Sequence, residues 1–256
     1  MAEVETTQVE GVLTVTLNRP EVLNAFNGAL HAALASALEE AQAPEVRAVV
    51  ITGAGRGFCV GQDLTEFREA AGDVGERLRA TYHPNVLALR ALEKPVIAAV
   101  NGPAAGAGLS LAAACDIRLA AASASFVPGF VGIGLVPDSG GSLFLVRILG
   151  EARAFEWMTS NRRLDADRAL AWGLVSEVVA DNALTARAAE LAREYAGRPT
   201  RGIGMTKRLF DHAVTATLEA QLELEAELQA QAVASEDFSE GVAAFLEKRP
   251  PRFVGR

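Results

Sequence analysis

One acidic residue lies among apolar and small neighbours in the segment GIGLVPDSGG, which runs from Gly132 to Gly141. Its carboxylate could accept a proton from a substrate, because loss of solvent raises the pKa of an aspartate towards the range in which a general base works. The same residue, Asp138, could cap a helix that begins near Ser139, since aspartate accepts hydrogen bonds from the free N–H groups at helix starts. From these residues alone both roles stay open.

Two glycine-rich loops could supply backbone donors to a reacting oxygen. GAGRGFCVGQDL follows the apolar run RAVVITG, and GPAAGAGLSL follows KPVIAAV. Each loop leads from a predicted buried strand toward a helix start, where backbone N–H groups have no partner. Two such groups facing one another would form an oxyanion hole. The alternative is that the small residues serve only close helix packing.

The first of these loops also looks like a dinucleotide-binding fingerprint, but its spacing argues against that use. The loop follows the second strand, does not run into a helix with the required glycine spacing, and is not followed by an acid at the end of the next strand. A Tyr-x-x-x-Lys pair is missing too, because Tyr82 is followed four residues later by Val86 and Tyr195 by Pro199. We therefore expect no nicotinamide cofactor.

Histidine and cysteine spacing predicts neither a metal site nor a disulfide. His31, His83 and His212 are scattered, without an HxxxH pattern, and no CxxC pair occurs. Cys59 and Cys115 lie in apolar or small-residue runs, which is typical of buried thiols in a reducing compartment. We expect no metal, no cofactor and a cytoplasmic location.

Strand and helix patterns alternate around the two loops. GVLTVTL, RAVVITG and KPVIAAV predict strands, and NGALHAALASALEEAQA predicts an amphipathic helix. This order indicates an α/β fold with crossover connections. The polar segment from Thr65 to about Asn85 is predicted to be helical and more mobile.

The C-terminal part has a different character, because alanine-, leucine-, glutamate- and arginine-rich helices follow one another there without strands. Leu218, Leu222 and Leu224 would form an apolar stripe that packs against another surface. We predict an α/β core in residues 1–197 and a helical C-terminal region in residues 198–256.

Composition limits the partners of this chain. Half of the 256 residues are hydrophobic and 22% are charged, which is typical of a globular protein. The formal net charge of −8 disfavours electrostatic binding to nucleic acid or to anionic membranes. No uninterrupted run of about 18 apolar residues suggests a membrane span, and the acidic start does not look like a signal peptide.

Several ordered blocks carry a resemblance to a known family. LNRPEVLNAFN, RAVVITGAGRGFCVGQDL, KPVIAAVNGPAAGAGLSLAAACDIRLAA and GLVPDSGGSLFLVRILG resemble, in that order, signature blocks of the crotonase (enoyl-CoA hydratase/isomerase) superfamily. The ending FSEGVAAFLEKRPPRF is similar as well, so the resemblance covers essentially the whole chain. It implies an α/β spiral of ββα units with a helical C-terminal trimerisation region, and trimers that often pair into hexamers. It also implies acyl-CoA thioester substrates, in which coenzyme A is part of the substrate.

The resemblance further implies where a substrate lies. By position, the backbone N–H groups of Gln62 and Ala107 would bind the thioester oxygen, and each donor could stabilise an enolate-like transition state by about 3 to 4 kcal/mol. The other residues that it places against the acyl group or coenzyme A are Leu23, Ala25, Val60, Gly61, Asp63, Leu64, Gly106, Gly108, Phe130 and Phe253.

Some of these positions have a simpler interpretation. Asp63 and Asp116 are typical of turn or cap residues. Thr65 takes the place of a lysine that relatives often carry near the nucleotide. Phe253 and Lys248 lie in a segment that in relatives reaches a neighbouring subunit's ligand, although ordinary packing or a solvated charge would explain them equally well.

The departures from the family pattern indicate the reaction. Hydratases of the family carry two glutamates that activate water, and these would fall at Ser110 and Phe130, so hydration of that kind is not expected. Isomerases without those glutamates often have a single acid in the turn that contains Asp138. We expect Phe130, together with Ile133, Leu135 and Val136, to surround this carboxylate and raise its pKa.

The pattern is most similar to the subgroup that isomerises ring-1,2-epoxyphenylacetyl-CoA to oxepin-CoA in phenylacetate degradation. The sequence therefore predicts an isomerase that acts through a thioester enolate on that substrate, on β,γ-enoyl-CoA, or on both, with Asp138 as the acid/base. The alternatives are a hydratase of unusual geometry, another crotonase chemistry, and a catalytically idle binding subunit.

Overall fold

Two β-sheets and a series of helices make up the computed structural model, which describes residues 2–69 and 73–256. The larger sheet has six strands in the order β1-β2-β3-β4-β6-β9, and the smaller sheet has three in the order β5-β7-β8. The strands are β1 Val4–Val9, β2 Val12–Leu17, β3 Ala48–Gly53, β4 Val96–Val100, β5 Pro103–Ala105, β6 Ile117–Ala121, β7 Ser125–Val127, β8 Leu164–Asp165 and β9 Glu177–Val179.

Helices connect and cover these strands. They are α1 Gly28–Glu40, α2 Leu64–Glu69, α3 Val74–Arg77, a π-helical turn Leu78–Tyr82, α4 His83–Ala91, α5 Ala107–Ala114, α6 Gly141–Leu149, α7 Glu151–Ser160, α8 Ala166–Ala171, α9 Leu184–Ala196, α10 Thr200–His212, α11 Leu218–Val233 and α12 Glu236–Glu247. Short 3-10 turns lie at Pro20–Val22, Val131–Ile133 and Asp181–Ala183.

The larger sheet is parallel except for the β1–β2 hairpin. All five residues of β4 are buried, as expected of a central parallel strand that is covered on both faces. In the register of β3 and β4, Thr52 pairs with Ala99. Because the strands run in the same direction, the loops that follow them leave from one edge of the sheet. The predicted α/β class and the two glycine-rich loops at strand ends are thus confirmed.

The C-terminal region is helical, as predicted, with α10, α11 and α12 following one another. The boundary between residues 197 and 198 falls between α9 and α10, and the division into two parts stays a prediction. Leu218 and Leu222 are exposed on α11 within a single chain. The segment from Thr65 to Asn85 is helical where the structure describes it; residues 70–72 lie outside the described residues, and its mobility stays a prediction. No helix among residues 2–69 and 73–256 has the length and apolar character of a membrane span.

An ionic cluster around Asp116 joins three elements of the core. One carboxylate oxygen accepts a hydrogen bond from the Arg90 guanidinium at 2.8 Å, and the other accepts from the Lys207 ammonium at 3.0 Å and from the Val96 N–H at 2.9 Å. Asp116 had been predicted to serve a turn or a cap. Its side chain instead connects α4, α10 and the start of β4, a role that sequence spacing does not reveal.

Replacing this carboxylate should destabilise the fold. In an Asp116→Asn variant, the buried Lys207 loses its counter-charge and Arg90 keeps only its ion pair with Asp211, so we expect unfolding to become easier by about 2 to 3 kcal/mol. Glu76→Gln is the control, because its ion pair with Arg79 is largely exposed and should contribute under about 0.5 kcal/mol. Urea midpoints measure both effects, and equal small losses would contradict the role given to Asp116.

Candidate active site

The turn that carries Asp138 does not cap a helix. Helix α6 begins at Gly141, its N-cap is Gly140, and no side chain accepts from its first N–H groups. The Asp138 carboxylate instead accepts a hydrogen bond from the Ser139 hydroxyl at 3.0 Å. The cap, one of the two roles that the sequence left open for Asp138, is therefore not formed, and the predicted helix is present but begins at Gly141 rather than near Ser139. The carboxylate is left without a bond to the backbone among the described residues.

Main-chain bonds hold this turn in place. The Asp138 carbonyl oxygen accepts from the Gly141 N–H at 2.8 Å and from the Ser110 hydroxyl at 3.1 Å. Ser110 is buried on α5, so the residue that stands where hydratases carry a glutamate anchors the backbone of Asp138. A Cβ at Gly141 would overlap the Ser110 hydroxyl oxygen, which shows how closely α6 approaches α5.

Backbone strain is concentrated next to the carboxylate. Ser139 has φ of +52°, a left-handed conformation that L residues seldom adopt, and Gly140 follows with φ of +78°. Such a conformation at a buried non-glycine residue costs on the order of 1 to 3 kcal/mol and persists only where the surrounding structure imposes it. Strain of this kind is common at functional sites.

Burial raises the pKa of Asp138, while the Ser139 hydroxyl and the nearby His83 oppose the shift. The expected cause was partly wrong. Ile133, Leu135 and Val136 are 59%, 42% and 78% exposed, so these side chains do not bury the carboxylate.

The buried neighbours of the turn come from other elements. Phe130 is buried, as the sequence suggested, and Ser110 and Phe144 approach from α5 and α6. A Cβ at Gly140 would meet the Phe144 ring, so this side chain closes the turn from behind. The raised pKa thus results from tertiary packing more than from the adjacent sequence.

The first candidate donor is the N–H of Gln62. Phe26 pairs with Gln62 in an isolated parallel bridge, in which the Phe26 N–H donates to the Gly61 carbonyl oxygen at 2.7 Å and the Asp63 N–H donates to the Phe26 carbonyl oxygen at 2.9 Å. In this pattern the N–H of Gln62 itself faces away from Phe26. Within the described chain it donates to no protein acceptor.

The second candidate donor is the N–H of Ala107, the first residue of α5. Gly106 precedes it with φ of +52° and ψ of −126°, a conformation open to glycine. A Cβ at Gly61 would lie 3.2 Å from the Ala107 nitrogen and 3.0 Å from the Ala105 carbonyl oxygen. The two loops therefore touch at the point where both donors are needed, and the helix dipole of α5 adds partial positive charge.

Gly108, predicted to contact the substrate, has a packing role. It is buried in the first turn of α5, and a Cβ at this position would overlap the Cys59 carbonyl oxygen. The absence of a side chain lets α5 lie directly against the loop that carries Gln62. The small residues of the second loop thus have both of the roles considered from the sequence. Gly108 allows close helix packing, and Ala107 presents an N–H that is free among the described residues.

The first signature block is held together by Asn24. This side chain is fully buried and donates to the carbonyl oxygens of Ala54 and Gly57 at 3.0 and 2.8 Å. The Val60 N–H donates to the Leu23 carbonyl oxygen at 3.2 Å, which brings these two predicted contact residues together.

Arg19 ties the same block to the start of α2. Its guanidinium donates to the Ala25 carbonyl oxygen at 2.6 Å and to the Asp63 carboxylate at 3.1 Å. Although burial opposes ionisation, the Thr65 N–H and Arg19 hold the pKa of Asp63 below its usual value. Asp63 is therefore committed to the turn, in agreement with the simpler interpretation, while Leu64 and Thr65 are exposed beside it.

Phe253 lies away from these loops within one chain. Its carbonyl oxygen accepts from the Arg47 guanidinium at 2.9 Å, and Arg47 precedes β3, at the end of the sheet opposite the glycine-rich loops. Its ring lies near Gly241 of α12. The structure does not bring Phe253 to its own chain's site, and Lys248 ends α12 in the same region. A contact with a neighbouring subunit's ligand stays a prediction.

Sequence reasoning missed two polar side chains near the site. The Tyr82 hydroxyl donates to the Gln62 side-chain oxygen at 2.7 Å. Glu66 accepts from the Gly28 N–H at 3.2 Å through one oxygen, and its other oxygen is buried without a partner among the described residues. Both lie in the weakly patterned polar segment, where neither periodicity nor motif spacing points to them.

The sequence matches the family described as enoyl-CoA hydratase/isomerase over residues 7–256. The chain belongs to the enoyl-CoA hydratase/isomerase family. A relative from Escherichia coli (strain K12), 1,2-epoxyphenylacetyl-CoA isomerase, is 46% identical over 252 residues, which cover 96% of each chain. A Rhodobacter capsulatus protein named "Probable enoyl-CoA hydratase" is 45% identical over 251 residues, again 96% of each chain. A solved structure, an enoyl-CoA hydratase from Polaromonas sp. JS666, has a TM-score of 0.91 and 37% identity, covering 98% of this chain and 99% of that one.

Membership confirms the crotonase resemblance and the fold that it implied. The two relatives are named for different reactions, isomerisation and hydration, although their identities to this enoyl-CoA hydratase/isomerase family member differ by a single percentage point. The choice between the reactions therefore depends on the side chains of the site.

The absence of a cap at Asp138 predicts how its removal affects stability. Because the folded protein raises the pKa of this carboxyl, folding favours the protonated form, and stability falls as pH rises through that pKa. An Asp138→Asn variant should then be at least as stable as the parent at pH 7, with the difference vanishing toward pH 4. Urea denaturation across this pH range measures it. A loss of about 1 kcal/mol at pH 7 would instead indicate a cap.

Proposed function

We propose that this protein is an acyl-CoA isomerase that acts through a thioester enolate. The observation that carries the proposal is the Asp138 carboxylate, which makes no backbone bond and has a raised pKa, in a turn anchored to the same helix that presents the Ala107 N–H. The Gln62 and Ala107 N–H groups would bind the thioester oxygen. Asp138 would exchange the proton.

The proposed steps conserve all atoms of the substrate. Asp138 takes a proton from the α-carbon while the electron pair of that C–H bond moves toward the thioester carbonyl, whose oxygen gains negative charge between the two amides. Return of the proton to another carbon of the conjugated system gives an isomer. For a ring epoxide, the electron shift opens the epoxide and expands the ring to an oxepin. No cofactor is required.

Ring-1,2-epoxyphenylacetyl-CoA is the proposed substrate class, with β,γ-enoyl-CoA as the simpler variant of the same chemistry. The relative named 1,2-epoxyphenylacetyl-CoA isomerase supports this choice. Phe130 supports it as well, because it is an apolar residue at a position where the resemblance expects a glutamate in hydratases.

Hydration is the second candidate, supported by the relative named as a hydratase. It requires a group that takes a proton from water. The Ser110 hydroxyl is already engaged with the Asp138 carbonyl oxygen, and Phe130 is apolar, so neither position supplies such a group.

A catalytically idle binding subunit is the third alternative. Such a subunit would not need the strained backbone at Ser139, and the energetic cost of this strain would then have no explanation.

We also propose that the protein assembles as a homotrimer, or as a hexamer formed from two trimers, in the cytoplasm. The C-terminal helices leave large apolar side chains exposed in a single chain, among them Leu218, Phe245 and Leu246. Such surfaces support an interface between copies. Both cysteines are free and buried, as is usual for proteins of a reducing compartment.

Asp138→Asn tests the proposed base. Its turnover of ring-1,2-epoxyphenylacetyl-CoA and of a β,γ-enoyl-CoA should fall by about a hundredfold or more, with acyl-CoA binding nearly intact. In the parent, kcat/KM should decrease as pH falls through the raised pKa of Asp138, because the base is then protonated. Crotonyl-CoA, assayed in parallel, reports hydration.

Glu66→Gln is the matched control for that experiment, since it neutralises the other buried carboxylate oxygen near Tyr82. It should retain isomerase turnover. If Glu66→Gln lost turnover and Asp138→Asn kept full activity, our proposal would have assigned the base to the wrong residue. Faster turnover of crotonyl-CoA than of both isomerase substrates would favour the hydratase.

Gly61→Ala tests the contact between the two donor loops. A Cβ there would push against the Ala105 oxygen and the Ala107 nitrogen, so turnover should fall by roughly tenfold to a hundredfold. Gly173→Ala is the control: it also has positive φ, but its Cβ would meet no atom within 4 Å, so it isolates the cost of backbone strain. Equal kinetic losses in the two variants would contradict the role of the contact.

A further inference from the structure

We propose that Tyr82 is a positioning residue for the oxyanion hole. Its hydroxyl fixes the side chain of Gln62 and thereby the N–H of the same residue, which would bind the thioester oxygen. The inference rests on the proposed function, because it assigns a role toward the donor that the proposed mechanism uses.

Three hydrogen bonds engage both ends of the Gln62 side-chain amide. The Tyr82 hydroxyl donates to its oxygen at 2.7 Å, and its nitrogen donates to the carbonyl oxygens of Phe26 at 3.1 Å and Asp63 at 3.2 Å. Phe26 and Asp63 also take part in the bridge at Gln62, because the Asp63 N–H donates to the Phe26 carbonyl oxygen. The side chain and the main chain of Gln62 are therefore held by the same neighbouring residues, and Tyr82 holds the side-chain oxygen from the π-helical turn Leu78–Tyr82.

The Tyr82 ring is itself held by packing. It is buried, with its edge toward His31 at 4.1 Å and toward Phe26 at 5.4 Å between ring centroids. Phe26 and His31 stack on one another at 4.7 Å, and the Asn85 side chain donates to the His31 carbonyl oxygen at 3.0 Å. Burial raises the pKa of Tyr82, so its hydroxyl remains a donor over the working pH range. The ring has little freedom to move its hydroxyl.

A local irregularity of the helix directs Tyr82 inward. Residues Leu78–Tyr82 form a π-helical turn, closed by the His83 N–H on the Leu78 carbonyl oxygen. A π turn adds one residue to the helical repeat, which rotates the following side chains relative to a regular helix. Tyr82 and Asn85 are buried as a result, whereas His83 is exposed. Such turns are frequent at functional sites.

Tyr82 also lies within electrostatic range of Asp138, so a direct effect on the base is the rival explanation. The two roles differ in what they change. A residue that acts through Gln62 alters the polarisation of the thioester carbonyl and leaves the pH profile in place. A residue that acts on Asp138 shifts the acid limb of the kcat/KM profile.

Tyr82→Phe tests the proposal, because it removes the hydroxyl and keeps the ring. The readout is the red shift in the ultraviolet absorption of hexa-2,4-dienoyl-CoA when it binds, which reports polarisation of its conjugated carbonyl. We expect the variant to lose at least half of this shift and to lose turnover by about tenfold to a hundredfold, with KM changed less than kcat. The acid limb should stay where it is in the parent.

The controls separate this inference from the proposed function. Tyr195→Phe makes the same change at the other tyrosine of the chain and should keep both the shift and the turnover. Asp138→Asn should keep the shift and lose turnover. Absence of the shift in the parent protein would refute the oxyanion hole itself, whereas a full shift in Tyr82→Phe would overturn the role of Tyr82 alone.

A double-mutant cycle with Gln62→Met tests whether Tyr82 affects turnover through the Gln62 side chain. Methionine has a similar length and cannot accept the Tyr82 hydrogen bond in the same way, so Gln62→Met should reproduce the loss, and adding Tyr82→Phe should cause little further loss. If Tyr82→Phe costs the same factor in both backgrounds, or if it moves the acid limb, Tyr82 acts elsewhere and the proposal is wrong.

Discussion

The close approach of the Gly61 loop to the start of α5 is the constraint on which the rest of the site depends. The two loops leave one edge of a parallel sheet, and they can touch only because Gly61, Gly106 and Gly108 lack side chains where a Cβ would meet backbone atoms or require an unfavourable conformation. This contact brings together the N–H groups of Gln62 and Ala107, which have no protein acceptor among the described residues. The helix that follows also carries Ser110, which anchors the turn of Asp138. One packing contact thus links both donors to the candidate base.

Function and stability are opposed at the Asp138 turn. Burial of the carboxylate without a backbone donor disfavours its ionised form, and Ser139 holds a left-handed conformation beside it. Interactions elsewhere in the fold offset this loss of stability. They are the packing of the apolar core, the hydrogen bonds of the buried Asn24 and the ionic cluster of Asp116. A site that moves protons needs a base with a raised pKa, so the structure accepts a local cost there.

The sequence predicted the elements and the two loops well, because strand periodicity and strand-end glycines have local causes. It predicted the surroundings of Asp138 less well: local chemistry left a helix cap open beside the role of base, and Ile133, Leu135 and Val136 were expected to bury the carboxylate. The cap is absent because helix α6 starts at Gly141, and the three apolar side chains are exposed to solvent instead. The burial comes from segments distant in sequence, which no pattern around Asp138 reveals.

Other features of the site are hidden from the sequence for the same reason. Tyr82 lies in a segment of weak periodicity, and the π turn that directs it inward has no sequence signature. A Cβ at Gly108 would overlap the Cys59 carbonyl oxygen, and Phe253 lies at the far end of the sheet in its own chain, so the ligand contacts expected of both residues stay predictions. Positions carried over from a resemblance locate a loop correctly. They do not say which atoms of the loop face a ligand.

Proton exchange at the α-carbon of a bound thioester is the most direct measure of the central claim. Phenylacetyl-CoA has the α-protons of the proposed substrate and no epoxide, so it cannot isomerise. Incubated with the protein in deuterium oxide, it should incorporate deuterium at the α-carbon at a rate far above the uncatalysed one, and the Asp138→Asn variant should abolish this exchange. Exchange at the same rate in that variant, or its absence in the parent protein, would contradict the account.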